Sequence, residues 1–320
     1  MLFLTLGGVL FYWAISNEDP YQLWNTIKQA NPFWIFMSML AGIISHFLRA
    51  LRWNLLLEPM QYKASVASSF HAVIIGYLVN MALPRVGEIT RPAVLSKLEK
   101  IPFNKLVGTV LVERIVDLII TIILAMCIFI IQFNIIFDQV NELWGHTSLT
   151  QMGTIGIFFS IGIVILYWIY KKREWFYQLP IIRKFKSFTE GIIDGVKTVF
   201  SLKRKSLFMI YSIGIWIMYF LMPYFVFYAL AGTSHLGMSA GLTVLLFGTA
   251  AMIVPIPGGV GTFEVLVPSA LDIYNINELV AKSYTLITHA IQFIVIIGVG
   301  IISIFYVILK TRTLKKNDLE

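Results

Sequence analysis

The residues able to do chemistry in this chain gather in polar stretches set between apolar runs. "LPRVGEITR", residues 83–91, carries Arg85, Glu88 and Arg91. A guanidinium is a planar fork of N–H donors that suits phosphate, and Glu88 is placed to pair with one arginine and hold it poised. For Arg91, ordinary positive-inside charge is the competing reading. "VERIVD", residues 112–117, puts Glu113, Arg114 and Asp117 early in an apolar run. Glu113 and Asp117 share a helix face at i, i+4, and Arg114 neighbours Asp117 at i, i+3. Such charges either neutralise one another to hold helices together or line a substrate path. "PIPGGVGTFE", residues 255–264, combines Gly258, Gly259 and Gly261 with Glu264. These glycines break a helix and let backbone amides approach an anion, although a plain turn needs the same residues. His289 shares a helix face with Thr285 and Gln292. It either moves a proton near neutral pH or bonds a neighbouring helix. His71 and Asn80 carry the same ambiguity.

No HExxH, CxxC, GxSxG or Walker spacing occurs. The expectation is therefore no metal, no cofactor and no assigned catalytic residue.

Elements that position these groups must be membrane helices. Of 320 residues, 58% are hydrophobic and 13% charged. A soluble chain carries roughly 25% charged residues, so this one has too few to cover a water-facing surface. The net charge of +8 reads as loop lysine and arginine rather than a nucleic-acid surface. A lone Cys127 forms no internal disulfide. Apolar runs fall at 2–15, 32–57, 66–83, 106–131, 152–170, 207–231, 239–254, 263–273 and 283–309. The first is either an uncleaved helix or a signal segment without a basic start. Residues 171–206 place apolar side chains at helical spacing among basic ones, which predicts an amphipathic cytoplasmic connection. Residues 310–320 form a basic cytoplasmic tail.

Lysine and arginine placement predicts topology. Arg49, Arg52 and Lys63 precede the run at 66–83, and Arg85, Arg91, Lys97, Lys100 and Lys105 follow it. Basic residues at both ends predict a re-entrant segment from the cytoplasmic face. Alternation of the remaining runs makes 239–273 re-entrant from the opposite face and puts both termini in the cytoplasm. The expected fold is all-α: one polytopic helical bundle over 1–320, an inverted repeat with two re-entrant hairpins broken at the Pro-Gly-Glu stretches. Two unrelated polar loops are the alternative.

In this order and separated by spans, the three motifs resemble the transmembrane region of the lysylphosphatidylglycerol synthase family, also called the flippase-like domain family. The resemblance runs from about residue 32 to 309. It implies a lipid-handling module, and it marks Pro84, Arg85, Gly87, Glu88, Arg91, Glu113, Arg114, Asp117, Pro257, Gly258, Gly259, Gly261 and Glu264. In full-length synthases a separate cytosolic domain makes the aminoacylated lipid. That domain is not expected here, because the chain runs only a few residues past its last apolar run. The leading expectation is an inner-membrane flippase for a phospholipid or polyprenyl-phosphate-linked lipid. A lipid-modifying enzyme or glycosyltransferase is a candidate partner, nucleic acid is not, and the oligomeric state is open. The rivals are an intramembrane enzyme using Glu113, Asp117 or His289, and a non-transporting scaffold.

Overall fold

A computed structural model describes residues 2–16, 18–131, 171 and 201–317. Among these the chain is all-helical, and the elements follow the apolar runs closely. The first helices are α1 (Leu2–Ile15), α2 (Pro20–Lys28) and α3 (Pro32–Leu57). They continue with α4 (Val66–Ala82), α5 (Gly87–Glu99) and α6 (Phe103–Ile131). After the gap come α7 (Lys205–Phe227), α8 (Met238–Ile253), α9 (Thr262–Asp272) and α10 (Glu278–Asn317). The expected run at 152–170 and nearly all of the amphipathic connection lie outside the described residues.

Helix starts are written locally. Asn31 accepts the Phe33 N–H at 3.0 Å and Pro32 opens α3, which satisfies one end donor and omits another. Ser65 accepts the Ser68 N–H at 3.2 Å at the start of α4. Helices α3, α7 and α10 are long and apolar enough to cross a bilayer. At 26 residues, α3 is about 39 Å long. Outward faces such as Met126, 56% exposed, and Phe305, 63% exposed, are apolar, as lipid contact requires.

Helices α3 and α7 pack side by side, and α10 runs past α2, α3, α4 and α9. One apolar core joins α3 to α6 around Trp53, Leu56, Leu95 and Leu106. A second joins α7 to α10 around Phe227, Val267, Leu271 and Tyr284. Helix α1 packs on α9 and on the glycine turn before it.

Two helical hairpins stand out, α4–α5 and α8–α9. Sequence reading finds only one limb of the first. Its return limb, α5, has no apolar run and contains Pro92, so hydropathy misses it. The limbs meet at Gly76 and Gly87. A β-carbon on Gly87 would lie 1.9 Å from the Gly76 carbonyl oxygen, and one on Gly76 would lie 3.0 Å from the Arg91 β-carbon. That close approach carries Arg91 into the bundle. At the end of α5, Lys310 donates to Glu99 at 2.8 Å and to Ser68 at 2.6 Å. Partial burial pushes the Glu99 carboxyl up, but bonds from Lys310, Ser68 and Ser65 outweigh it and hold the group below its ordinary value.

Candidate functional site

A buried ion cluster lies where α3, α5, α6 and α7 meet. Arg49 and Arg52 stand at i, i+3 on α3, and Glu113 and Asp117 at i, i+4 on α6, so each pair presents one helix face. Asp117 accepts from Arg49 Nη1 at 3.0 Å and from Arg52 Nη1 at 2.7 Å. Glu113 accepts from Arg52 Nε at 3.4 Å. From α5, Arg91 Nη2 comes within 2.7 Å of Glu113 Oε2 without the alignment of a hydrogen bond. The Arg91 guanidinium lies 3.8 Å from the Trp53 ring centre, and Trp53 Nε1 donates to Thr109. Arg49 also donates to Tyr219 Oη at 3.0 Å, and Arg52 Nη1 to Ser212 Oγ at 3.3 Å.

Charge in this cluster does not balance. Three guanidiniums, none more than 3% exposed, face two carboxylates. Among the described residues one positive charge is left over. Among the described residues Arg49 Nε, Arg52 Nη2 and Arg91 Nε have no hydrogen-bond partner. Buried donors are nearly always satisfied, and an uncompensated charge inside a membrane protein is costly enough to mark function.

Two sequence expectations need correction here. Arg49 and Arg52 were expected at a cytoplasmic boundary, but they are buried in ion pairs and say nothing about topology. Their i, i+3 spacing inside an apolar run was the available signal. Arg114 was expected to join Glu113 and Asp117. One residue along a helix turns a side chain by about 100°, so Arg114 points away from Glu113, and it does not pair with Asp117 three residues on. It pairs with Glu88 instead, through both Nε and Nη2. That pair is partly exposed, at 41% and 31% of the side chains, and forms an outer layer beside the buried cluster. Arg85, Arg91 and Arg114 do not share one pocket. Arg91 is buried, while Arg85, in a left-handed conformation, donates to the Ile253 carbonyl at 3.2 Å.

The Arg85 contact joins the tips of the two hairpins. Beyond it, the second turn runs Gly258, Gly259 and Gly261 at φ of +61°, +72° and +87°, values that favour glycine. Gly259 N–H donates to the Ile256 carbonyl at 3.0 Å, and Gly261 N–H to Glu264 Oε2 at 2.6 Å. These amides are engaged inside the turn, so they do not form the open anion cradle that the sequence suggests. A β-carbon on Gly261 would lie 2.5 Å from the Gly7 carbonyl oxygen, so this glycine also admits α1. Glu264 Oε1 contacts His289 Nδ1, and His289 Nε2 lies 2.9 Å from the Gly258 carbonyl oxygen.

The hairpin tips share a pattern. At each, a glycine at the start of the return helix gives its amide to a side-chain oxygen: Asn80 Oδ1 for Gly87 at 2.7 Å, Glu264 for Gly261. At each, a nearby glutamate pairs with a base on a long helix, Glu88 with Arg114 and Glu264 with His289. His71, by contrast, bonds Ser303 and stacks on Tyr306 away from both clusters. Among the described residues no group of three His, Cys, Asp or Glu side chains is arranged to hold a metal ion.

Comparison with known proteins shows the family of the chain. The chain is 26% identical over 318 residues to a UPF0104 membrane protein of Pyrococcus horikoshii, covering 91% of this chain and 90% of the relative. A UPF0104 membrane protein of Methanocaldococcus jannaschii is 24% identical over 333 residues, covering 95% and 92%. One from Methanothermobacter thermautotrophicus is 21% identical over 321 residues, covering 95% and 94%. No solved structure matches the chain. The family profile described as the lysylphosphatidylglycerol synthase TM region matches residues 1–300, and the chain belongs to that family.

Proposed function

We propose that the protein moves a phosphate-bearing lipid from one membrane leaflet to the other. The observation that carries this reading is the uncompensated charge of Arg49, Arg52 and Arg91 beside unpaired guanidinium donors. A phosphodiester headgroup supplies the missing negative charge and the missing acceptors, while its acyl or isoprenoid chains stay in the bilayer. Donors already fixed inside the bundle replace the water that a headgroup loses at membrane depth. The outer Arg114–Glu88 pair gives a partly exposed first contact on the same helices. In this reading α4–α5 and α8–α9 are re-entrant hairpins of an inverted repeat in an inner membrane, with both termini cytoplasmic. The meeting of their tips at Arg85 and Ile253, and the paired glycine–glutamate pattern, support it.

Purified protein in phosphatidylcholine vesicles containing labelled phosphatidylglycerol or a polyprenyl phosphate tests the proposal. The expected result is chemically unchanged lipid appearing in the opposite leaflet. An altered product would make the protein an enzyme, and no movement of either lipid would leave a scaffold. Orientation is checked in the same membranes after Cys127 is removed. Cysteines at Lys63 and Lys97, which lie at the two ends of the α4–α5 hairpin, should label from the same side with an impermeant reagent. Labelling of the two from opposite sides contradicts the re-entrant topology.

A further inference from the structure

Both ring nitrogens of His289 face oxygen acceptors. A carbonyl only accepts, so the contact from Nε2 to Gly258 requires a proton on Nε2. The contact between Nδ1 and Glu264 Oε1 requires a second proton, held by the ring or by the carboxyl. Either assignment leaves the pair neutral as a unit, imidazolium with carboxylate or imidazole with carboxylic acid. Without that proton, a ring lone pair points at a carboxylate. His289 and Glu264 are each 4% exposed, with the Phe263 and Phe293 rings 4.6 and 4.8 Å from the imidazole. Such surroundings screen the repulsion poorly.

The contact also has mechanical consequences. Glu264 holds Gly261 N–H through its other oxygen, and His289 holds the Gly258 carbonyl. One proton therefore closes a chain from Gly261 through Glu264 and His289 to Gly258. The chain ties both ends of the left-handed turn to α10. Ile253, which receives Arg85 from the opposing hairpin, lies just before this turn.

We propose that Glu264 and His289 form a one-proton site whose occupancy decides whether the second hairpin tip is latched to α10. The proposal rests on the transport reading above and supplies its coupling ion. A proton enters between Nδ1 and Oε1 from water at one membrane face and leaves to water at the other, and no bond between heavy atoms changes. With the proton bound the turn is closed. With the proton gone the turn separates from α10, and the Arg85–Ile253 contact between the tips is free to break.

Among the described residues, α4 packs on the turn, and the other elements around the pair present the following groups. Helix α1 presents Gly7 and Leu10 to the turn, and α8 presents Met252. Helix α9 presents Phe263, while α7 meets α10 where Tyr284 Oη donates to the Pro223 carbonyl. The first hairpin presents Arg85, bonded to Ile253, and α3 meets α10 where Gly42 faces Val295.

Hydrogen exchange of the full chain in phosphatidylcholine–phosphatidylglycerol nanodiscs, read on residues 254–264 from about pH 5 to 9, tests the site. After correction for intrinsic rates, protection of the parental turn should fall about tenfold or more as pH rises, as expected for losing one charge-assisted bond. Glu264→Gln should stay protected throughout, because its amide donates to Nδ1 without titrating. Should Glu264→Gln fold poorly, His289→Gln must equally abolish the pH dependence. A parental turn whose protection does not change with pH, or a Glu264→Gln turn that titrates like the parent, overturns the proposal. Lipid movement is measured separately in vesicles with an imposed pH difference. A titrating latch without lipid movement keeps the latch and removes the transport reading; lipid movement with a non-titrating turn removes the latch.

Discussion

Asp117→Asn should be among the most damaging single substitutions in the described bundle. Asp117 receives hydrogen bonds from both Arg49 and Arg52. Asparagine keeps the shape but removes the charge, so three buried guanidiniums would face Glu113 alone. Breaking a buried ion pair by removing one partner costs on the order of 3–5 kcal/mol, a large share of a total stability of roughly 5–15 kcal/mol. The measurable outcome is a collapse of folded yield and of the melting temperature in mild detergent. A second substitution makes the expectation specific. Arg49→Met on the Asp117→Asn background restores the parental charge difference and should recover part of the loss. If the double variant melts no higher than Asp117→Asn alone, the cluster is not governed by its charge balance.

Gly87→Ala should disrupt the first hairpin, for a steric reason. The added carbon would lie 1.9 Å from the Gly76 carbonyl oxygen and 2.7 Å from Asn80 Cγ. Backbone cannot yield as a flexible side chain does, so α4 and α5 must separate. Overpacking of this kind costs about 1–3 kcal/mol, occasionally more. Separation would also pull Arg91 from Glu113. Gly298→Ala on α10 is the matched control, since nothing lies within 4 Å of its added carbon. Thermal melting should therefore show a large drop for Gly87→Ala and none for Gly298→Ala. Equal melting of the two variants would show that the α4–α5 approach is looser than described.

Much of the architecture was legible because apolar length is a strong signal. The run at 32–57 coincides with α3, and the limits of α8 and α9 were found within one residue. The Pro-Gly stretch at 255–261 was placed between two runs that prove to be α8 and α9, because proline and glycine interrupt helices. Three features were not legible. Helix α5 has too little hydrophobicity to register as a limb of a membrane hairpin. Arg49 and Arg52 look like boundary charges until α6 places two carboxylates opposite them. The Glu264–His289 contact joins residues 25 apart through a turn, and neither residue names its partner in the sequence. Motif membership also hid opposite roles. Glu113 and Arg114 are adjacent in the chain, yet one is buried in the cluster and the other belongs to the outer pair.

If the surplus positive charge of the buried cluster receives a lipid phosphate, Arg91→Met should sharply slow lipid movement and spare the fold. Methionine replaces part of the arginine stem against Trp53 and leaves Arg49 and Arg52 facing Glu113 and Asp117 in balance. In vesicles with labelled phosphatidylglycerol, the variant should melt close to the parent yet move lipid at about a tenth of the parental rate or less, the loss expected for one charge-assisted contact. Lipid movement at the parental rate, or a variant that unfolds far below the parent, would contradict the account and assign Arg91 to other work in the bundle.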